Sequence, residues 1–238
     1  MMAVEAGSAK WLVVANVATD GVLVLPGRID FPNCELVNGE LRAQLAATSS
    51  DEAKEQAETL FRGAVWSLLL ASQRYCHFET NYVRNVTGKP SRTIYVTGSV
   101  DDKLTDEDTR RAIELYGMLQ DVSALPGRLK MALSDLQCAM SDVTPFAFVH
   151  LHRCLEQIKA FFGGWPAMRA DLNLSEGYLM YISTRRHDPQ FGTAHAPVKR
   201  GPRARITGEE IREGILRAVE VLKRFLYFLT DRPVGEPR

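Results

Sequence analysis

The sequence lacks the features that would announce most enzyme classes. Its four cysteines, Cys34, Cys76, Cys138 and Cys154, are scattered, with no C-x-x-C pair. That spacing gives no footing to a zinc knuckle or a disulfide framework. Buried thiols in a reducing compartment are the expectation. Net charge is also missing, because 29 Lys and Arg balance 29 Asp and Glu. A zero balance argues against a chain-wide electrostatic nucleic-acid surface and leaves room for a local basic patch. No apolar run approaches the roughly 20 residues of a membrane span, the most apolar stretch being 64–71. The apolar run at 11–17 has no basic segment ahead of it and leads into Thr19-Asp20-Gly21, so it reads as a strand rather than a signal peptide. A cytoplasmic protein without membrane contact is expected. G-x-S-x-G, H-E-x-x-H and G-x-G-x-x-G are all absent, so hydrolase, metalloprotease and dinucleotide readings have no footing. Neither a cofactor nor a metal is expected.

What is present is an ordinary globular composition, 45% hydrophobic and 24% charged over 238 residues. A chain of that length can bury a core without staples. The pattern predicts an α+β protein: an N-terminal β-rich part with one amphipathic helix, residues 1–103, followed by an all-α helical bundle, residues 104–238. Strands are expected at 11–17, 21–25, 76–86 and 93–100. A hairpin is expected over 35–43, because Asn38-Gly39 suits a type I′ turn whose central residues both need positive φ. Ser49 and Glu52 form a capping box for a helix ending near Ser72. In the second part Thr105 with Asp108 opens a helix that Pro126-Gly127 breaks. Leu129, Leu133 and Leu136 mark another. Thr144, with Pro145 at the first helical position, opens a third that Gly163-Gly164 stops. A helix over 166–183, with a break at Leu174-Ser175, precedes a last one opened by Thr207 and Glu210 and ended before Pro233.

Residues 184–206 have no apolar period and hold three prolines and two glycines, so they predict a long loop. Here the basic residues Arg185, Arg186, Lys199, Arg200, Arg203 and Arg205 meet one acid, Asp188, with His187 and His195 alongside. Guanidinium groups bind phosphate bidentately, and histidine transfers protons near neutral pH. In the functional reading Arg186 binds and polarises a phosphate, His195 or His187 moves the proton, and Arg185, Lys199, Arg200, Arg203 and Arg205 hold backbone phosphates. The competing reading is a solvated loop whose charges do nothing specific. A second candidate, His150-x-His152-x-Cys154, places His150 and Cys154 on one helical face and His152 elsewhere. No third and fourth metal ligand is evident, so these read as structural residues. Thr87 to Ser91 faintly echoes a phosphate-binding loop, but Pro90 stands where a hydroxyl is needed, so a turn is expected.

Residues 148–156, running from Phe148 through His150, His152 and Cys154 to Glu156, look like the Leu-Glu helix of the HEPN-like helical domains. Trp165 and then Arg186-His187 and His195 follow ahead of a long final helix. On these residues the second part, roughly 105–232, resembles that superfamily. The resemblance implies a homodimer with two motif copies facing each other. Its catalytic members set a histidine a few residues after an Arg and a polar residue, and cut RNA without metal. Here Arg186 is followed by the polar His187, and His195 comes after eight intervening residues, longer than the usual spacing. The expected function is a non-catalytic dimeric binding module. The alternatives are a metal-independent ribonuclease or RNA-binding protein using the Arg186 and His195 loop, and a small-molecule enzyme with its site between the two parts.

Overall fold

Alternating apolar and polar residues near the start of the chain build an antiparallel sheet, and 3.6-residue periodicity builds helices after it. The structure is a computed structural model and describes residues 9–19, 23–86, 102–121, 127–142, 144–187 and 206–230. The fold is α+β. Its strands are β1 (Ala9–Thr19), β2 (Leu23–Val24), β3 (Arg28–Phe31), β4 (Cys34–Val37), β5 (Glu40–Ala47), β6 (Cys76–Asn85) and β7 (Asp102–Lys103). Its helices are α1 (Ser50–Ser72), α2 (Asp106–Asp121), α3 (Gly127–Ser141), α4 (Ala147–Phe162), α5 (Trp165–Asp171), α6 (Glu176–His187) and α7 (Gly208–Leu229). The chain divides into two compact units, 1–120 and 121–238. The composition shift near residue 103 precedes this division by one helix, and α2 packs within the first unit.

In the first unit β3, β4, β5, β1 and β6 form one sheet in that order, while β2 and β7 pair in parallel as a separate ladder. Asn38 and Gly39 have φ of 50° and 81°, the left-handed values that a two-residue hairpin turn requires. Val13 opposite Ala43 and Ala15 opposite Leu41 belong to the face that is buried. Helix α1 covers that face. Phe61 meets Phe78 edge-on at 5.9 Å between ring centroids, and the Thr80 hydroxyl donates to Glu58 at 2.9 Å. Tyr116 of α2 stacks on Phe31 at 4.8 Å.

The N-terminus of α1 refines the expected capping box. The Glu52 N–H donates to Ser49 Oγ at 3.2 Å, but the Glu52 carboxylate returns to the Thr48 N–H at 2.8 Å, one residue earlier than Ser49. The helix ends at Ser72, where Gln73 takes φ 58°. Strand β3 is absent from the sequence reading, because two of its four residues are charged and Gly27 and Pro32 flank it.

The second unit is a helical bundle around α4, whose Phe148, Leu151, Cys154, Leu155 and Ile158 are buried. Helix α7 approaches closely at Gly214, where an added Cβ would lie 2.8 Å from Phe148 Cε1. Arg224 of α7 is buried and donates to the carbonyls of Leu172 at 3.1 Å and Asn173 at 2.6 Å. It thereby satisfies backbone acceptors in the break between α5 and α6, while Glu220 balances its charge at 2.8 Å.

Two expectations are corrected here, at the start of α4 and at the end of α6. Residues 144–146 are a turn, so α4 begins at Ala147, with the Phe146 N–H donating to Thr144 Oγ1 at 3.2 Å. The break expected at Leu174-Ser175 is present, with α5 and α6 parted at 172–175. Helix α6 continues through His187, so 184–187 are helical and not the start of a loop. The remainder of the expected loop, 188–205, the turn at 87–91 and the strand at 93–100 lie outside the described residues.

Candidate functional site

On α6 the residues Glu176, Leu179, Met180, Ser183 and Arg186 recur three or four apart, which places them on one face. That face forms one wall of a groove of about 880 Å³. Helix α4 supplies His152, Arg153 and Glu156, and α5 supplies Trp165, Pro166 and Arg169. The volume falls in the range of small-molecule sites, roughly 300–1,000 Å³. Of the lining side chains three are guanidinium groups and two are carboxylates, beside an apolar surface of Trp165, Pro166, Leu179 and Met180.

The centre of the groove is a chain of charges. Arg186 Nη1 donates to His152 Nδ1. A guanidinium cannot accept a hydrogen bond, so this contact needs a lone pair on Nδ1, which leaves Nε2 as the ring nitrogen on the other side. That Nε2 lies 3.8 Å from Glu156 Oε1. Lys159 pairs with the same carboxylate, and its ammonium stands 5.1 Å over the Trp165 ring. The His152 ring meets Trp165 edge-on at 6.4 Å and is only 5% exposed. Across the mouth Arg169 pairs with Glu176 at 2.7 Å, linking α5 to α6.

Arg185, next to Arg186, turns to α7 instead. Its guanidinium pairs with Glu210 at 2.9 Å and stacks over the Tyr181 ring at 3.5 Å. The Thr207 backbone N–H, and then Arg185, hold the Glu210 carboxyl below its ordinary range. Arg185 thus ties α6 to the capping box of α7. The backbone of His187 closes α6. His195, Lys199, Arg200, Arg203 and Arg205 lie outside the described residues.

His150 and Cys154 face α3 rather than the groove. Asp135 of α3 is buried, with Arg153 at 3.3 Å and His150 at 4.0 Å. Burial pushes the Asp135 carboxyl above its usual range, opposed by Arg153 and His150. Burial, followed by the nearby Asp135, pushes the Cys154 thiol up. Among the described residues no three His, Cys, Asp or Glu side chains gather as metal ligands. In the first unit Cys34 lines a second hollow of about 750 Å³. Burial raises its thiol to about 11, which leaves it a poor nucleophile.

Sequence reasoning found Arg186 but not its surroundings. His152 and Glu156, at i and i+4, were a legible pair. Their meeting with Arg186, 34 positions on, was not, because it depends on how α4 and α6 pack. The chain matches no family model, no curated protein and no solved structure. No helix among the described residues is long and apolar enough to cross a membrane.

Proposed function

We propose that the second unit is a non-catalytic binding module of HEPN-like type that self-associates as a homodimer, and that its α4–α6 groove takes an anionic ligand. The observation that carries this reading is the state of His152. Arg186 occupies its Nδ1, and its Nε2 faces Glu156. A general base must reach the proton it abstracts, and the Nδ1 lone pair of this histidine is turned to Arg186. The excess of guanidinium over carboxylate in the lining supports anion recognition. Trp165 supplies a flat surface beside it.

The second reading is a metal-independent ribonuclease or an RNA-binding protein. It is favoured by the position of Arg186 in the groove and by the basic residues Lys199, Arg200, Arg203 and Arg205 that follow later in the sequence. His195 or His187 then moves the proton. Mixed RNA incubated with the full chain in EDTA separates the two. The binding module leaves RNA intact on a denaturing gel. Cleavage by the native chain, lost when Arg186 and His195 are both changed to Ala, establishes the nuclease. Light scattering tests the homodimer, which requires a mass of twice 26.6 kDa.

A further inference from the structure

In the first unit, strand β5 runs further than the strand on one side of it. Its ladder with β4 stops at Arg42, opposite Glu35, whereas its ladder with β1 continues to Ala47, opposite Ala9. Backbone groups along a strand point alternately to its two sides, and two hydrogen bonds fix that alternation here. The Val17 N–H donates to the Gly39 carbonyl at 2.8 Å, so Gly39, and with it Leu41, Ala43, Leu45 and Ala47, face β1. The Val86 N–H donates to the Lys10 carbonyl at 2.9 Å, so Lys10 faces β6, and Ala46 opposite Lys10 faces away from β1. Gln44 and Ala46 therefore turn their N–H and C=O groups to the side that β4 does not reach, and both residues are exposed. Thr48 comes next in that alternation, and its N–H is taken by the Glu52 carboxylate at 2.8 Å. Among the described residues no group bonds the outward backbone of Gln44 or Ala46.

The hollow of about 750 Å³ lies along this edge, and its walls come from both faces of the sheet. Phe31, Cys34, Leu45 and Leu60 of α1 make an apolar wall on the side that α1 covers. Arg42 and Gln44 project from the other face, with Glu35 opposite Arg42 and Asp30 opposite Glu35. On that face Arg42 pairs with Glu40, and Arg28 with Asp30 and Glu35, which leaves carboxylates in excess of guanidinium groups. An added strand suits both features, because its backbone bonds a strand edge and its side chains point alternately to the two faces. We propose that this edge binds a short extended peptide segment of a partner protein, added as a strand beside Gln44 and Ala46. The segment sets an apolar side chain toward Leu45 and Leu60 and a basic one toward Asp30 and Glu35. The site lies within the first unit and does not depend on the α4–α6 groove.

The probe is a short peptide, blocked at both ends, that alternates lysine with valine. Amide hydrogen exchange of the full chain is read residue by residue, with and without it. In the free chain the amides of Ala43 and Leu45, which face β1, are expected to be protected, and those of Gln44 and Ala46 to exchange freely. Peptide at about ten times its Kd should slow exchange at Gln44 and Ala46 about tenfold, the factor set by occupancy. The same peptide with methylated backbone nitrogens should have no effect, and one alternating glutamate with valine should bind more weakly. Ala46→Pro removes one outward N–H at an edge position that tolerates proline. It should weaken the lysine–valine peptide about fivefold, the loss of one hydrogen bond, with Ala43 and Leu45 still protected. Gln44 and Ala46 amides already protected in the free chain at every concentration would give the edge to another part of this chain. Protection that grows with protein concentration would give it to a second copy. Either result overturns the proposal, as do unchanged exchange under excess peptide and an equal effect of the methylated one. Equal binding of the glutamate peptide overturns the preference for a basic segment.

Discussion

Two side-chain positions in the helical unit have consequences that can be worked out from their immediate neighbours. At Gly214 an added Cβ would lie 2.8 Å from Phe148 Cε1 and 2.9 Å from Leu151 Cδ1, and both neighbours are fully buried. Gly214→Ala should lower stability in urea unfolding by about 1–2 kcal/mol, the overpacking cost outweighing alanine's better helix propensity. Asp135 works through pH. Its folded carboxyl is raised above the ordinary range by burial, so the folded form binds its proton more tightly than the unfolded chain does. The contribution to stability is full below the unfolded value of about 4 and is lost as pH rises through the folded value. Asp135→Asn should therefore gain on the native chain as pH rises from about 4 to 7. Unfolding at those two pH values checks it, and an equal difference at both would count against the buried carboxyl.

At the scale of elements, the break between α5 and α6 depends on Arg224. Its guanidinium bonds the carbonyls of Leu172 and Asn173 and pairs with Glu220. Arg224→Met keeps the apolar stem but leaves those acceptors unmet, a loss of about 1–3 kcal/mol measurable by thermal unfolding followed by circular dichroism. The elements most legible in the sequence were those whose signals are local. Asn38-Gly39 marked its hairpin through the positive φ that the turn demands. Ser49 and Thr207 marked helix starts through hydroxyls that accept from the Glu52 and Glu210 N–H groups. Strand β3 was hidden because Arg28 and Asp30 dilute its apolar pattern, and only pairing of Ile29 with Leu36 and of Phe31 with Cys34 makes it a strand. The extension of α6 through His187 was hidden for a similar reason. Arg185 reads as loop charge until Glu210 and the Tyr181 ring engage it.

At the scale of the whole molecule, the site was only partly legible. Arg186 stood out beside Arg185 at the start of a basic stretch, and Trp165 through the helical resemblance, but His152 looked structural and Arg169 and Glu176 carried no signal. What joins them is the packing of α4, α5 and α6, which no short pattern encodes. The central claim is that this groove is an anion-recognition site organised by Arg186. The most direct test is a sulfate titration of the nitrogen-15-labelled full chain, read at the indole N–H resonances of its three tryptophans. The account predicts that the Trp165 indole shifts on titration while those of Trp11 and Trp66 stay in place, and that Arg186→Ala weakens the response by at least about tenfold, the loss of one charge-assisted contact. A Trp165 indole that does not move, or one that moves equally in the Arg186→Ala chain, would contradict it.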